Sequence, residues 1–583
     1  MTAALQVRCV VLLLVGLAIS CPLSAAEKTA LDLMPATVIG YAELPQPGKL
    51  VDGVLEHPLA KQLQALPEYQ QALGRPEYQK GLETLAAIER QLGEKIRPAV
   101  GKLTSGGVYF GFDLASQGVV LITKSSDAAL ADKARDTAFE LARAAAKERG
   151  AGDPVKTGEH RGIKVYQVGE GRLVVHFGWI IVANKSLTMS FVLNNLLDEK
   201  PQSLGSETQF QAAYAKRSPS AALWSYLDLR LIRSTGFLKT LASQKSDNPV
   251  GELLAGGIVT ALPEAPYVTA TLEFEPQRVA LSLAMPCDAA TAAKKKEFYF
   301  GAEGRGQSPP VLEPKNTLFT LSTYRDFGSL WKNAPDLFND EINAKFVEAE
   351  GTLKTLFAGR DFRDDILGNL EPGMRVVAVR QQYKAGDVVP AIKLPAIALV
   401  MQMKHPAETA RIFKVTYQSF IGFINIAGGQ NGIDPLDLNS EKVGDALVVS
   451  SEYLPPDDEA TRKAAPPQFN ASPTAAFVGD KFILSSTKSL ALELVELVQK
   501  APAAPAGTNT ALRVDGQVAQ AMLDDNRETL ITQNMLERGN DRTAAEQQIT
   551  GLLAAAKQVG GTTLRLMQNA GELRLDWEVM LAK

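Results

Sequence analysis

Cysteine and histidine are scarce in this chain, at three and four residues among 583. Cys9 and Cys21 lie in the first 26 residues, so removal of that segment would leave Cys287 alone, and no intramolecular disulfide could form. The histidines (His57, His160, His176 and His405) are scattered, with no i, i+4 pair of the kind that builds a helical zinc site. Clustered basic charge is also missing. The densest run, Lys294-Lys295-Lys296, stands alone in a chain of net charge −4, which argues against nucleic acid as a partner. No uncharged apolar run reaches the roughly 20 residues that a bilayer-spanning helix takes. At 45% apolar residues, the chain must be held by burial and has enough material for two sizeable cores.

What is present begins with residues 1–26. Arg8 precedes an apolar run from Cys9 to Ile19, and Ser24-Ala25-Ala26 supplies small residues before Glu27. That is the pattern of a secretory signal, and it predicts an exported protein of the periplasm or cell envelope. A second reading of the same segment stays open. Leu17-Ala18-Ile19-Ser20-Cys21 resembles the bacterial lipobox, which would make Cys21 a lipidation site and anchor the chain on a membrane surface.

The remainder reads as one pattern written twice. Leu103 through Phe112 (LTSGGVYFGF) matches Leu370 through Val379 (LEPGMRVVAV), with Gly106 facing Gly373. Val119–Lys124 and Ala398–Lys404 each precede a long helix. Trp179–Leu187 matches Phe482–Leu490, which sets Ser485 against Val182. Each half closes on a hairpin: Leu272 and Phe274 return through Val279, Leu281 and Leu283, and Leu564 and Leu566 return through Leu575, Trp577 and Val579. Period-two alternation across a turn predicts half-buried antiparallel ribbons. The fold class expected is therefore α+β: two homologous domains from an internal duplication, each a largely antiparallel sheet packed on one side by helices. Their bounds are 27–286 and 313–583, with 287–312 as linker. A polar insertion, Pro455 to Pro473, and a flexible stretch, Ala501 to Gly507, interrupt the second. The helix at about 126–148 is to be capped by Ser125 or Ser126 and ended by Gly150.

Several motifs suggest chemistry. Ser485-x-x-Lys488, Ser246-Asp247-Asn248 and Lys156-Thr157-Gly158 are the three signatures of penicillin-binding proteins and serine β-lactamases. Here they run in reverse order, and Ser485 reads as the end of a strand where the nucleophile should start a helix. No catalytic residue follows from them. Asp434, Asp437, Asn439 and Glu441 offer oxygen ligands for calcium in a loop, without EF-hand spacing or its central glycine. Tyr69 and Tyr78, in two Pro-Glu-Tyr-Gln repeats, are candidates for a peptide or glycan contact at helix starts.

The opening Leu33-Met34-Pro35-Ala36-Thr37, followed by a strand, helices and a strand led by Gly106-Gly107-Val108-Tyr109, resembles a bacterial family of exported proteins of unknown function. The resemblance implies an envelope location and assigns no functional residue. The resulting expectation is a non-enzymatic binding or scaffold protein without a cofactor, whose partner is an envelope protein, glycan or lipid. A hydrolase with a dispersed site, or a carrier of lipid or another apolar ligand, are the competing readings.

Overall fold

A computed structural model of the chain describes residues 28–583 except 59, 61–63, 65–68, 71–72, 288–296, 358, 503, 570 and 583. The signal segment, Cys21, the lysine run at 294–296 and the first Pro-Glu pair of the tyrosine repeats lie outside the described residues. The contacts divide the chain into two compact units, residues 28–46 with 87–216, and residues 47–86 with 217–582. Mixed helix and antiparallel sheet in both confirm the α+β class.

The first unit holds β1 (Val38–Leu44), β2 (Val108–Asp113), β3 (Gly118–Lys124), β4 (Val155–His160), β5 (Ile163–Val168), β6 (Gly171–His176) and β7 (Trp179–Ala183). They pair in the order β1-β2-β3-β7-β6-β5-β4, antiparallel throughout. Helix α1 (Ala128–Glu148) leaves β3, and α2 (Ser186–Leu197) leaves β7. The cap of α1 differs from the sequence expectation. Asp127 accepts a hydrogen bond from the Leu130 backbone N–H, and the Ser125 hydroxyl instead accepts from Asp127 N–H one step earlier. Gly150 takes a positive φ of 68° beyond the helix end, as expected. Asp127→Ala is expected to cost about 1 kcal/mol, read as a lower urea midpoint with an unchanged slope. At the start of the described chain, the Lys28 ammonium donates to the carbonyls of Asn195 (2.6 Å), Leu196 (3.1 Å) and Asp198 at the end of α2.

The second unit contains thirteen described strands: β8 (Leu223–Asp228), β9 (Tyr267–Glu275), β10 (Arg278–Pro286), β11 (Thr317–Thr323), β12 (Met374–Val379), β13 (Ala396–Gln402), β14 (Leu436–Val443), β15 (Ala446–Tyr453), β16 (Thr474–Val478), β17 (Lys481–Ser485), β18 (Thr508–Asp515), β19 (Val559–Asn569) and β20 (Glu572–Leu581). Their order is β8-β9-β10-β20-β19-β18-β11-β12-β13-β17-β16-β15-β14, again antiparallel at every step. The run β11-β12-β13-β17-β16-β15-β14 thus repeats the connectivity of β1 to β7. Details recur as well. The ladder slips between Val38 and Gly40 in β1, and between Thr317 and Phe319 in β11. Gly107 and Gly373, at the two strand entries, both hold positive φ, 84° and 108°. The Asn184 side chain accepts from Val119 N–H (2.7 Å), and the Ser486 hydroxyl accepts from Ile397 N–H (2.8 Å). These correspondences place Gly107, not Gly106, against Gly373, and Ala183, not Val182, against Ser485. The sequence alignment is off by one residue because both strands are apolar at nearly every position, which leaves the alternation too weak to fix the register.

The same strands overturn the expectation of one-sided packing. Helix α3 (Pro249–Ala261) precedes the first hairpin, and α4 (Pro406–Gly429) and α5 (Lys488–Lys500) lie on opposite faces of the sheet. Val377, Ala398, Val400 and Ile483 form one core with Leu490 and Leu494 of α5. Leu399, Met401 and Phe482 form another with Ile412, Phe413 and Ile421 of α4. Strands covered on both sides need apolar residues in both phases, and MRVVAV and AIALVMQ supply them. The segment expected as linker is also packed. Phe298, Tyr299 and Phe300, in the short helix Glu297–Phe300, are buried in a core shared with Leu238, Ala261, Met285, Leu337 and Leu573. The polar insertion carries a short helix, Glu459–Lys463, and then Asn470, whose side chain bonds Ile392, Leu394 and Tyr383. Helices α6 (Gly516–Asp525), α7 (Arg527–Arg538) and α8 (Arg542–Lys557) follow β18 and enclose a small core of Ile531, Ala545, Ile549 and Leu553.

Candidate functional site

Each catalytic-looking triplet has a local structural role. Ser485 is buried at the end of β17 and its hydroxyl accepts from Thr487 N–H (3.2 Å). Lys488 opens α5 and pairs with Glu441 at 2.8 Å. Ser246-Asp247-Asn248 is a helix start: Asn248 caps α3 through Gly251 N–H (2.9 Å). Lys156-Thr157-Gly158 lies along β4. The calcium candidates are not in a loop as expected. Asp437, Asn439 and Glu441 alternate along the exposed strand β14 after Asp434. Four of the first five residues of β14 are exposed, which erases the alternation that marks a half-buried strand in sequence. Among the described residues no group of three or more His, Cys, Asp or Glu is gathered as a metal site would require. His160 bonds the Asn194 side chain (2.9 Å), His405 precedes α4, and Tyr78 is exposed on the helix Pro76–Leu92.

The feature with the strongest chemical contrast is the ribbon β9-β10-β20-β19, where the last hairpins of the two sequence halves pair edge to edge. Leu281 stands opposite Leu272 on one side and Trp577 on the other, and Trp577 stands opposite Leu564. Val279 and Val579 flank this row at one end, and Leu283 and Leu575 at the other. All share one face, because paired residues of an antiparallel ladder point the same way. The face is sealed at one end by the buried core around Met285, Leu573 and Leu566. Towards Phe274 the helix Pro47–Glu56 lies against it, with a Cβ on Gly53 reaching within 3.2 Å of the Phe274 ring. The middle stays half-open. Trp577 is 43% exposed and its indole N–H donates to the Thr562 hydroxyl at 2.9 Å. Val51, Val54 and Leu55 of the adjoining helix are also exposed.

The opposite face of the ribbon is ionic. The Arg278 guanidinium reaches Glu273 at 2.9 Å and also Glu578, while Asp576 accepts from Ser282 (2.6 Å) and Arg574 (2.7 Å). The Ser218 and Ser220 hydroxyls, and then Arg278, hold the Glu273 carboxyl down at about 2. A carboxyl whose folded value is depressed contributes stability that is complete above its ordinary value and lost as pH falls through the folded one. Glu273→Gln should therefore be most destabilising at neutral pH. The gap to the wild-type protein, followed by urea midpoints, should close between about 4.5 and about 2. Beside this face a pocket of about 420 Å³ is lined by Val311, Arg513, Gly561, Thr563 and Arg565, among others.

No family model and no curated relative matches the chain. Among solved structures, crystal form I of TP0453 is similar over 45% of this chain and 80% of its own, at 14% identity and a TM-score of 0.25. Crystal form III of the same protein covers 45% and 81%, at 13% identity and a TM-score of 0.23. A likeness of this degree transfers nothing about activity or ligand.

Proposed function

We propose that this chain is a non-enzymatic binding protein of the bacterial envelope, built from two copies of one α+β domain, and that it binds through the apolar face of the ribbon β9-β10-β20-β19. The observation that carries the site is the half-open row Leu272, Leu281, Trp577 and Leu564. Exposed apolar residues scattered singly are ordinary, but a contiguous patch with an aromatic at its centre is where binding energy concentrates. Duplication is supported by the recurring strand order, by the ladder slip at Val38 and Thr317, and by the paired positive-φ glycines. Export rests on Arg8, the apolar run and Ser24-Ala25-Ala26, with Cys21 lipidation as the other route to the envelope.

The test is to recover the tagged protein from its native envelope and identify what accompanies it, together with its mature N-terminus, by mass spectrometry. A partner or lipid that accompanies the wild-type chain and is lost from a folded Leu281→Asp variant is the expected result. Equal recovery with both would place binding elsewhere.

A further inference from the structure

The composition of the ribbon's apolar face defines what can occupy it. We infer that the occupant is a hydrocarbon chain, the acyl tail of a fatty acid or phospholipid; this rests on the ribbon being the binding site. β9, β10, β20 and β19 are the four strands concerned. Both edges of β10, β20 and β19 are hydrogen-bonded to neighbouring strands, and so are both edges of β9 through β8 and β10. An extended peptide therefore finds no free backbone edge on this floor, and peptide addition to a sheet needs one. The Trp577 indole N–H, the polar atom of the row, is already satisfied by Thr562. No ionisable side chain lies on this face between Leu272 and Leu564, since Arg278, Arg574, Asp576 and Glu578 all point to the other side. A ligand lying along the row Leu272, Leu281, Trp577 and Leu564 makes apolar contact with those four side chains.

The size of the patch points the same way. Leu272 to Leu564 crosses three strand spacings, and Val279 to Leu283 covers four residues along β10, so the floor measures roughly 14 by 14 Å, about 200 Å². A stable protein interface takes about 800 Å² from each partner, four times more. An acyl chain is covered fully by such a floor and by the exposed Val51, Val54 and Leu55 of the adjoining helix. The closed end at Met285, Leu573 and Leu566 gives the trough a stop, and the chain enters across the half-open middle beside Trp577 with its polar head outwards.

Each buried methylene is worth roughly fourfold in affinity. Competition of sodium decanoate, dodecanoate and tetradecanoate against a fluorescent fatty acid on the full chain should show affinity rising about fifteenfold per two-carbon step. Leu281→Asp and Trp577→Arg should each weaken binding at least tenfold while melting cooperatively. Phe423→Asp, on the exposed side of α4, should leave it unchanged. Vesicles of phosphatidylcholine with a fluorescent acyl chain separate the sources: transfer of label to the protein identifies a phospholipid tail, and labelling by free fatty acid alone identifies the acid. Absence of saturable binding by either, or binding indifferent to Leu281→Asp and Trp577→Arg, overturns the inference. If a native partner is still lost from Leu281→Asp in that case, the ribbon remains the binding site and only the hydrocarbon assignment falls.

Discussion

Replacing Arg325 by methionine is expected to destabilise the second unit by about 3 kcal/mol. Arg325 is fully buried, yet the groups its guanidinium donates to are neutral. Its guanidinium donates to the Leu253 carbonyl (2.6 Å), the Tyr324 carbonyl (2.5 Å) and the Asn509 side chain (2.8 Å), and lies over the Tyr299 ring. Burial pushes its pKa down to about 10. Asn509 in turn donates to the Tyr299 carbonyl (2.9 Å), and the Tyr299 hydroxyl donates to Glu252. One side chain thus ties α3, from the first sequence half, to β11 and β18 of the second. Methionine matches the volume but leaves several acceptors unsatisfied in the core, so the cost is more than the bonds themselves. The measurement is chemical unfolding followed by tryptophan fluorescence. A loss under about 1 kcal/mol would mean that the packing of Tyr299 and Phe300, not the guanidinium, holds the halves together.

The second large effect is steric. A Cβ on Gly516, the first residue of α6, would lie 1.9 Å from the Val559 carbonyl oxygen, well inside contact distance and against backbone that cannot rotate away. Gly516→Ala must therefore part α6 from the irregular start of β19, where the ladder slips between Val559 and Gly561. A cost of about 3 kcal/mol is expected, the upper part of the range for overpacking. Gly422→Ala is the matched control. Nothing lies within 4 Å of a Cβ there, and in mid-helix alanine should stabilise by up to about 1 kcal/mol. Melting temperatures of the two variants should move in opposite directions.

How much of this was legible in the sequence depends on how a residue's environment is encoded. The closing hairpins were readable to the residue, because Leu281 and Trp577 alternate with charged and small neighbours. So were the helix after β3 and its glycine stop. The packing on both faces of β12, β13 and β17 was not, since a strand apolar in both phases reads as a buried run without saying what covers it. β14 was hidden for the converse reason: an exposed strand shows no apolar phase. Arg325 carried no signal at all. A lone arginine between Tyr324 and Asp326 reads as surface, and only the fold reveals that carbonyls from α3 converge on it. The Phe298-Tyr299-Phe300 cluster was the missed clue, because three consecutive aromatics in a supposed linker call for a core. The candidate site itself was half visible. Its residues were read correctly as the inner face of two hairpins, but that the hairpins pair through β10 and β20 and stay half-open could not follow from patterns within either one.

Trp577 gives the most direct test of the central claim that this ribbon face binds an apolar chain. Bromine-labelled stearate quenches tryptophan only at contact, and subtracting the emission of Trp577→Phe from that of the wild-type protein isolates the ring on the ribbon. The account predicts saturable quenching of that difference signal, abolished by Leu281→Asp. Quenching that persists in Trp577→Phe, with the difference signal untouched, would contradict it.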